Sequence, residues 1–197
     1  MTKIEDYKKE KLTIDIIKAN LYGILIMIPV FLIYGIPFYL LQYNDSTLLN
    51  IKDFFKSMDA ISIFAFPLLF FIVFLIGIIL HELIHGITWA IFAKKGFKSI
   101  RFGVLWKMLT PYCHCKEPLL LKHYILGAIM PAVILGFIPA LYSLIFGNIT
   151  ILFFGALFTI AGVGDFLIVN LIRKENSNSL VQDHPSEAGC YIYRENF

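Results

Sequence analysis

Long apolar runs alternate with short polar stretches along the chain, and the runs exceed what the core of a small water-soluble domain can absorb. A helix that crosses a bilayer needs about 20 mostly apolar residues. Four segments reach that length, at about 19–41, 61–93, 124–146 and 149–172. The second is long enough to tilt or to project past the interface. Only Gly147-Asn148 separates the third from the fourth, which predicts a tight turn at the bilayer face. Prolines 29, 37, 67, 131 and 139 fall inside these runs and mark kinks of the kind membrane helices accommodate.

The polar remainder forms an N-terminal tail (1–18), a loop (94–123) and a C-terminal tail (173–197). The N-terminal tail mixes both charges and reads as a solvated or interfacial amphipathic helix. No small-residue cleavage site follows the first apolar run, so it reads as a retained span and not as a removable signal. The loop contains one further pattern. From Lys98 to Thr110, Ile100, Phe102, Val104, Trp106 and Met108 alternate with Arg101, Gly103, Leu105 and Lys107. Period-two alternation of this composition suggests a strand or hairpin at the membrane surface, the alternative being an interfacial loop anchored by Trp106. With no internal repeat, the expected fold is a single all-α polytopic membrane domain over residues 1–197. It has four transmembrane helices and a small membrane-associated β-hairpin between helices two and three.

Composition points the same way. The 197 residues are 58% hydrophobic and 16% charged, against roughly 45–50% and 25% for soluble domains. The excess apolar surface must face lipid, which excludes a soluble enzyme, a disulfide-stapled module and a disordered chain. A net charge of +3, with no basic run interleaved with aromatics, gives no nucleic-acid signature. The basic residues are placed unevenly. Five precede the first span, seven lie between the second and third, three follow the fourth, and only Lys52 and Lys56 lie between the first and second. By the positive-inside rule, both termini and the 94–123 loop are expected on the cytoplasmic side of a multi-pass cell-membrane protein.

The second run ends in His81-Glu82-Leu83-Ile84-His85, an H-E-x-x-H sequence. On a helix, positions i and i+4 share a face, so two imidazoles can bind one zinc while Glu82 beside them acts as general base. A pair of core histidines with a stray glutamate is the competing reading. It is disfavoured because a charged group at mid-bilayer costs roughly 2.5–3.5 kcal/mol or more, so three ionisable groups in one apolar helix need a purpose. The third ligand is expected at Asp165, the acidic residue inside the fourth run. Counted back from Lys94 and Arg173, His85 and Asp165 lie about 12–14 Å below the same interface at 1.5 Å per residue. Ala161, Gly162 and Gly164 thin the helix there and let another helix approach. Cys113, His114 and Cys115 are too closely adjacent to face one ion easily and read as a reduced loop. His123 reads as an interfacial residue, and His184 as part of a surface turn or short strand. An odd count of three cysteines argues against a disulfide framework.

Together the segments HELIHGITWAIFAKKGF, IRFGVLW, TPYCHCKEPL, GAIMPAVILG, AGVGDFLIVNLI and DHPSEAGCYIY resemble the site-2 protease class of intramembrane zinc metalloproteases. More specifically, they resemble a family of small bacterial membrane proteins described as zincin peptidases. The resemblance implies zinc bound by His81, His85 and Asp165, Glu82 as catalytic base, and a membrane-embedded β-structure around residues 100–106. Two features depart from the site-2 pattern. Asp165 follows Gly-Val-Gly where that class has an Asn-Pro…Asp-Gly context, and no asparagine follows Gly127 and Pro131.

The expected function is an intramembrane zinc metalloendopeptidase that hydrolyses a peptide bond of a membrane protein or peptide. Its substrate-binding residues would be Ile100, Phe102 and Val104, whose strand edge could pair with an extended substrate. The alternative is a non-catalytic metal-binding transporter, sensor or scaffold. The lack of repeats disfavours a transporter, and the scarcity of carboxylates disfavours a di-iron site. The partners are the substrate and the lipid bilayer; the oligomeric state is left open.

Overall fold

The computed structural model describes residues 7–42, 56, 58–106, 110–177, 179–184 and 187–195. Helix α1 spans Ile16–Gln42 and contains Pro29 and Pro37. Helix α2 spans Ala60–Phe92. It starts where the Asp59 carboxylate accepts the Ser62 N–H at 2.8 Å, an N-cap that satisfies one of the free donors of the first turn. At 33 residues it is about 50 Å long, more than the hydrocarbon thickness it would have to cross. Much of its surface is exposed large apolar side chain, Ile61 at 76% and Phe64 at 78% among them.

The third run, Leu121–Phe146, is one continuous helical path with an internal change of pitch. Helix α3 (Leu121–Pro131) passes into a π-helical segment (Ala132–Phe137) and then into α4 (Ile138–Phe146). The change follows Pro131, whose ring and missing N–H disturb the regular ladder. Gly147 then adopts φ 74°, and the Asn148 side chain caps the next helix, giving the tight turn that Gly-Asn predicts.

The fourth run is not one straight helix. It divides into α5 (Ile149–Ala161) and α6 (Val163–Ile172), bent by 42° at Gly162. Two glycines around Val163 weaken helix continuity there, and Gly162 lies against the Ala132 methyl of the π-helical segment. By length and composition, three helices, or four with the bent pair taken as one, are apolar enough to cross a membrane.

The expected hairpin is present. Strand β2 (Ile100–Leu105) pairs antiparallel with β3 (Thr110–Cys115), with Phe102 opposite Cys113 and Ile100 opposite Cys115. Cys113, His114 and Cys115 therefore lie on a strand, not in a loop. A second sheet was not expected from an all-α reading with one hairpin. Strands β1 (Tyr7–Thr13), β4 (Leu119–Leu120), β5 (Leu180–Asp183) and β6 (Gly189–Glu195) form an antiparallel sheet in the order β1-β6-β5-β4. The N-terminal tail is thus a strand over residues 7–13 and not an amphipathic helix. Its charges find partners on β6 and in the β5–β6 connection that a lone helix would lack. Glu10 pairs with Arg194, Lys11 with Glu187 at 2.6 Å, and the Lys9 ammonium sits 3.7 Å from the Tyr191 ring centroid. The sheet collects strands from before α1, between α2 and α3, and after α6. The main core lies where this sheet and the hairpin meet the end of α2 and the start of α3, around Trp89, Ile100, Cys115, Tyr124, Ile172, Val181 and Ile192.

Candidate metal centre

One turn of α2 carries His81, Glu82 and His85, and the first turn of α6 carries Asp165. Their polar atoms converge. His81 Nε2 lies 3.2 Å from Asp165 Oδ2, and His85 Nε2 lies 3.2 Å from His81 Nε2 and 3.4 Å from Asp165 Oδ1. The two histidines are 7% and 3% exposed, while the Asp165 side chain keeps 22%. Among the described residues, this is the one group of three such side chains whose ligand atoms gather closely enough to hold a metal ion. A tetrahedral zinc with bonds of about 2.0–2.1 Å needs ligand atoms roughly 3.3–3.4 Å apart. The three separations lie near that edge length, with each histidine facing a different oxygen of the Asp165 carboxylate, so the donor set fits a zinc ion.

The groups around the histidines favour the same use. His85 Nδ1–H donates to the Gly127 carbonyl at 2.8 Å, so in the neutral ring the Nε2 lone pair faces His81 and Asp165. Beyond it, His85 stacks on Trp89 with centroids 5.0 Å apart, and Trp89 stacks on Tyr124 at 5.4 Å. The Trp89 indole N–H donates to the Tyr124 carbonyl at 3.1 Å. Gly127 is required by this packing, because a Cβ there would overlap the indole. His81 Nδ1 is buried without a hydrogen-bond partner, leaving Nε2 as its engaged nitrogen.

Glu82, beside the two histidines on α2, is half-buried and its carboxylate meets the Cys113 backbone amide of β3. The hairpin approaches because α2 has Gly86 at the contact, and any Cβ there would meet the Phe102 ring and Ile100. Of the three residues expected to bind substrate, Phe102 and Val104 are 47% and 38% exposed, whereas Ile100 is packed into the core at 8%. The Ile100 side chain is therefore committed to internal packing, and only its backbone could meet a ligand.

The cysteine-rich segment behaves differently. Burial pushes the Cys115 thiol up to about 11, the Cys190 thiol up to about 12 and the Cys113 thiol well above its usual range, so none is a ready thiolate. Burial likewise pulls His114 down, favouring the neutral ring. His123 stacks on Phe92 with centroids 4.0 Å apart, and His184 stands at the end of β5.

Sequence reasoning missed four residues that support the centre: Trp89, Tyr124, Gly127 and Asp183. Asp183 is buried, with Oδ1 accepting from the Tyr124 hydroxyl at 2.6 Å and Oδ2 from the Cys115 N–H at 2.8 Å. Burial raises its carboxyl to about 6. The available signals were weak: a glycine one helical turn past a tyrosine, and an aspartate in an Asp-His-Pro triplet that looks like a turn.

Comparison with known families matches residues 74–180 to the family described as "putative zincin peptidase". No curated protein and no solved structure matches the chain. The name of the family implies zinc as cofactor, which agrees with the donor set and spacing found here. More than half of the chain lies inside the matched span, His81, Glu82, His85 and Asp165 included, and the chain belongs to this zincin peptidase family.

Proposed function

We propose that the chain, as one integral membrane unit over residues 1–197, is a site-2-protease-like metallopeptidase that cleaves a peptide bond of a membrane protein or peptide. His81, His85 and Asp165 hold the zinc and Glu82 is the general base. The observation that carries this reading is the convergence of three ligand atoms from helices 80 residues apart in sequence, at zinc spacing, within otherwise apolar segments. Bound zinc, held by His81, His85 and Asp165, would supply Lewis acidity to polarise a scissile carbonyl and a water. Glu82 takes the proton from that water and returns it to the leaving amine nitrogen. The Cys113 amide holds the carboxylate in place. Outside β2 no further strand pairs among the described residues, so an unwound substrate can extend the hairpin by strand addition beside Phe102 and Val104.

The same reading places both termini and residues 94–123 on the cytoplasmic side of a bacterial cell membrane. The four-stranded sheet supports it, because strands from all three polar segments must lie on one side to pair. If the Leu121–Phe146 helix crosses the bilayer, the bent α5–α6 pair has to cross back for β5 to reach β4.

Glu82→Gln tests the assignment. The variant should bind zinc like the wild type. It should yield none of the new peptide termini that mass spectrometry detects when zinc-loaded wild type is co-reconstituted with a library of membrane-segment peptides. Equal cleavage by both proteins would remove Glu82 from the mechanism. Zinc binding without cleavage by the wild type would favour a transporter, sensor or scaffold.

A further inference from the structure

Asp183 lies outside the ligand triangle, yet its two oxygens hold the elements on which the triangle and the base depend. Through Oδ1 it accepts from Tyr124, whose ring backs Trp89 and whose carbonyl takes the Trp89 indole N–H. One turn further along α3, the Gly127 carbonyl orients His85. Through Oδ2 it accepts from Cys115 at the end of β3, two residues from the amide that faces Glu82. Burying a carboxylate is costly unless its oxygens are well bonded, and both are here. The nearby His114 Nδ1 at 4.0 Å completes its polar surroundings.

We propose that Asp183 is a positioning residue for the metal centre, one carboxylate of the terminal sheet that sets the orientation of His85 through Tyr124 and the stance of Glu82 through β3. The proposal rests on the zinc reading of His81, His85 and Asp165. It goes beyond that reading by making metal affinity depend on a sheet built from both chain ends. The order of the path is specific. The Tyr124 hydroxyl serves only the ligand branch, whereas Asp183 serves both.

The test is zinc affinity of the detergent-purified full chain, measured by competition with a chelating dye. The emission of Trp89 is recorded in parallel in a Trp106→Phe background, where it is the remaining tryptophan. Asp183→Asn should weaken zinc binding by roughly 10–100-fold, the range seen when groups that orient a ligand are removed, and Tyr124→Phe by the lower end of that range. Because the two act on one path to His85, the double variant should bind no more weakly than Asp183→Asn alone. Tyr193→Phe is the control. It removes the Tyr193–Gln182 hydrogen bond from the same sheet without touching Asp183, and should leave affinity within about twofold, as a substitution away from the site does. The zinc-dependent change in Trp89 emission should shrink in Asp183→Asn and Tyr124→Phe only.

Wild-type affinity in folded Asp183→Asn or folded Tyr124→Phe would overturn the proposal while leaving the zinc reading intact. Should Asp183→Asn fail to fold, Tyr124→Phe decides alone. A wild type that binds no zinc would overturn the underlying reading and this proposal together, and an equal loss in Tyr193→Phe would reduce Asp183 to a structural tie of the sheet.

Discussion

Two regions of this molecule are rich in metal-ligand side chains, and they differ in how their polar atoms point. Around β3 and β5, Cys113, His114, Cys115, Asp183 and Cys190 crowd together, with more ligand types than the α2–α6 cluster offers. Yet the atoms best placed to bind are engaged elsewhere: the Cys115 thiol donates to the Glu117 carbonyl, and the Asp183 oxygens accept from Tyr124 and the Cys115 amide. In the α2–α6 cluster three side chains bring one ligand atom each within 4.8 Å of one another. Density of ligand residues does not make a site; convergence does. Buried polar atoms in apolar helices are costly unless they meet one another or an ion.

The sharpest way to break this contrast is to remove a converging atom. His85→Ala should leave no zinc bound after dialysis, since it deletes a ligand and the ring stacked on Trp89 together; retention of stoichiometric zinc would refute the assignment. A second effect separates the regions by pH. The Asp183 carboxyl stands near 6 in the folded chain against an ordinary 3.8, so between these values the folded state holds the extra proton. Stability therefore falls as pH rises from about 4 to about 6, by at most about 3 kcal/mol. Asp183→Asn should lack that slope when unfolding of both metal-stripped proteins is followed across this range. Parallel curves would show that Asp183 is not buried as described.

A smaller effect is expected at Gly127. Gly127→Ala pushes a methyl into the indole, costing about 1–3 kcal/mol as overpacking does, and chelator competition should show weaker zinc binding. Smallest is Glu10→Gln, which loosens the ion pair with Arg194 between the terminal strands. Both partners are about 40% exposed, so the loss should stay under about 1 kcal/mol and leave zinc content unchanged.

The helical framework and the polar triad were readable from sequence because their signals are local. An i, i+4 pair of histidines needs only one helical turn, and counting residues to the basic flanks put Asp165 at the depth of His85. Alternation from Ile100 to Trp106 likewise announced β2. The four-stranded sheet was not readable. Tyr7 pairs with Glu195 at the other end of the chain, and a short strand of mixed charge has no distinguishing mark until its partner is known. For the same reason nothing marked out Asp183, next to a histidine read as part of a surface turn or short strand: its burial depends on β4, β5 and β6 assembling over α3. The bend at Gly162 escaped notice because hydropathy measures apolar length and not direction.

The most direct test is the metal content of detergent-purified protein. Wild type would be compared with Asp165→Ala and with a Cys113→Ala/His114→Ala double variant under metal-replete conditions. The account predicts about one zinc per chain in the wild type and in the double variant, and none in Asp165→Ala. Absence of zinc from the wild type, or its loss from the double variant with retention in Asp165→Ala, would contradict it.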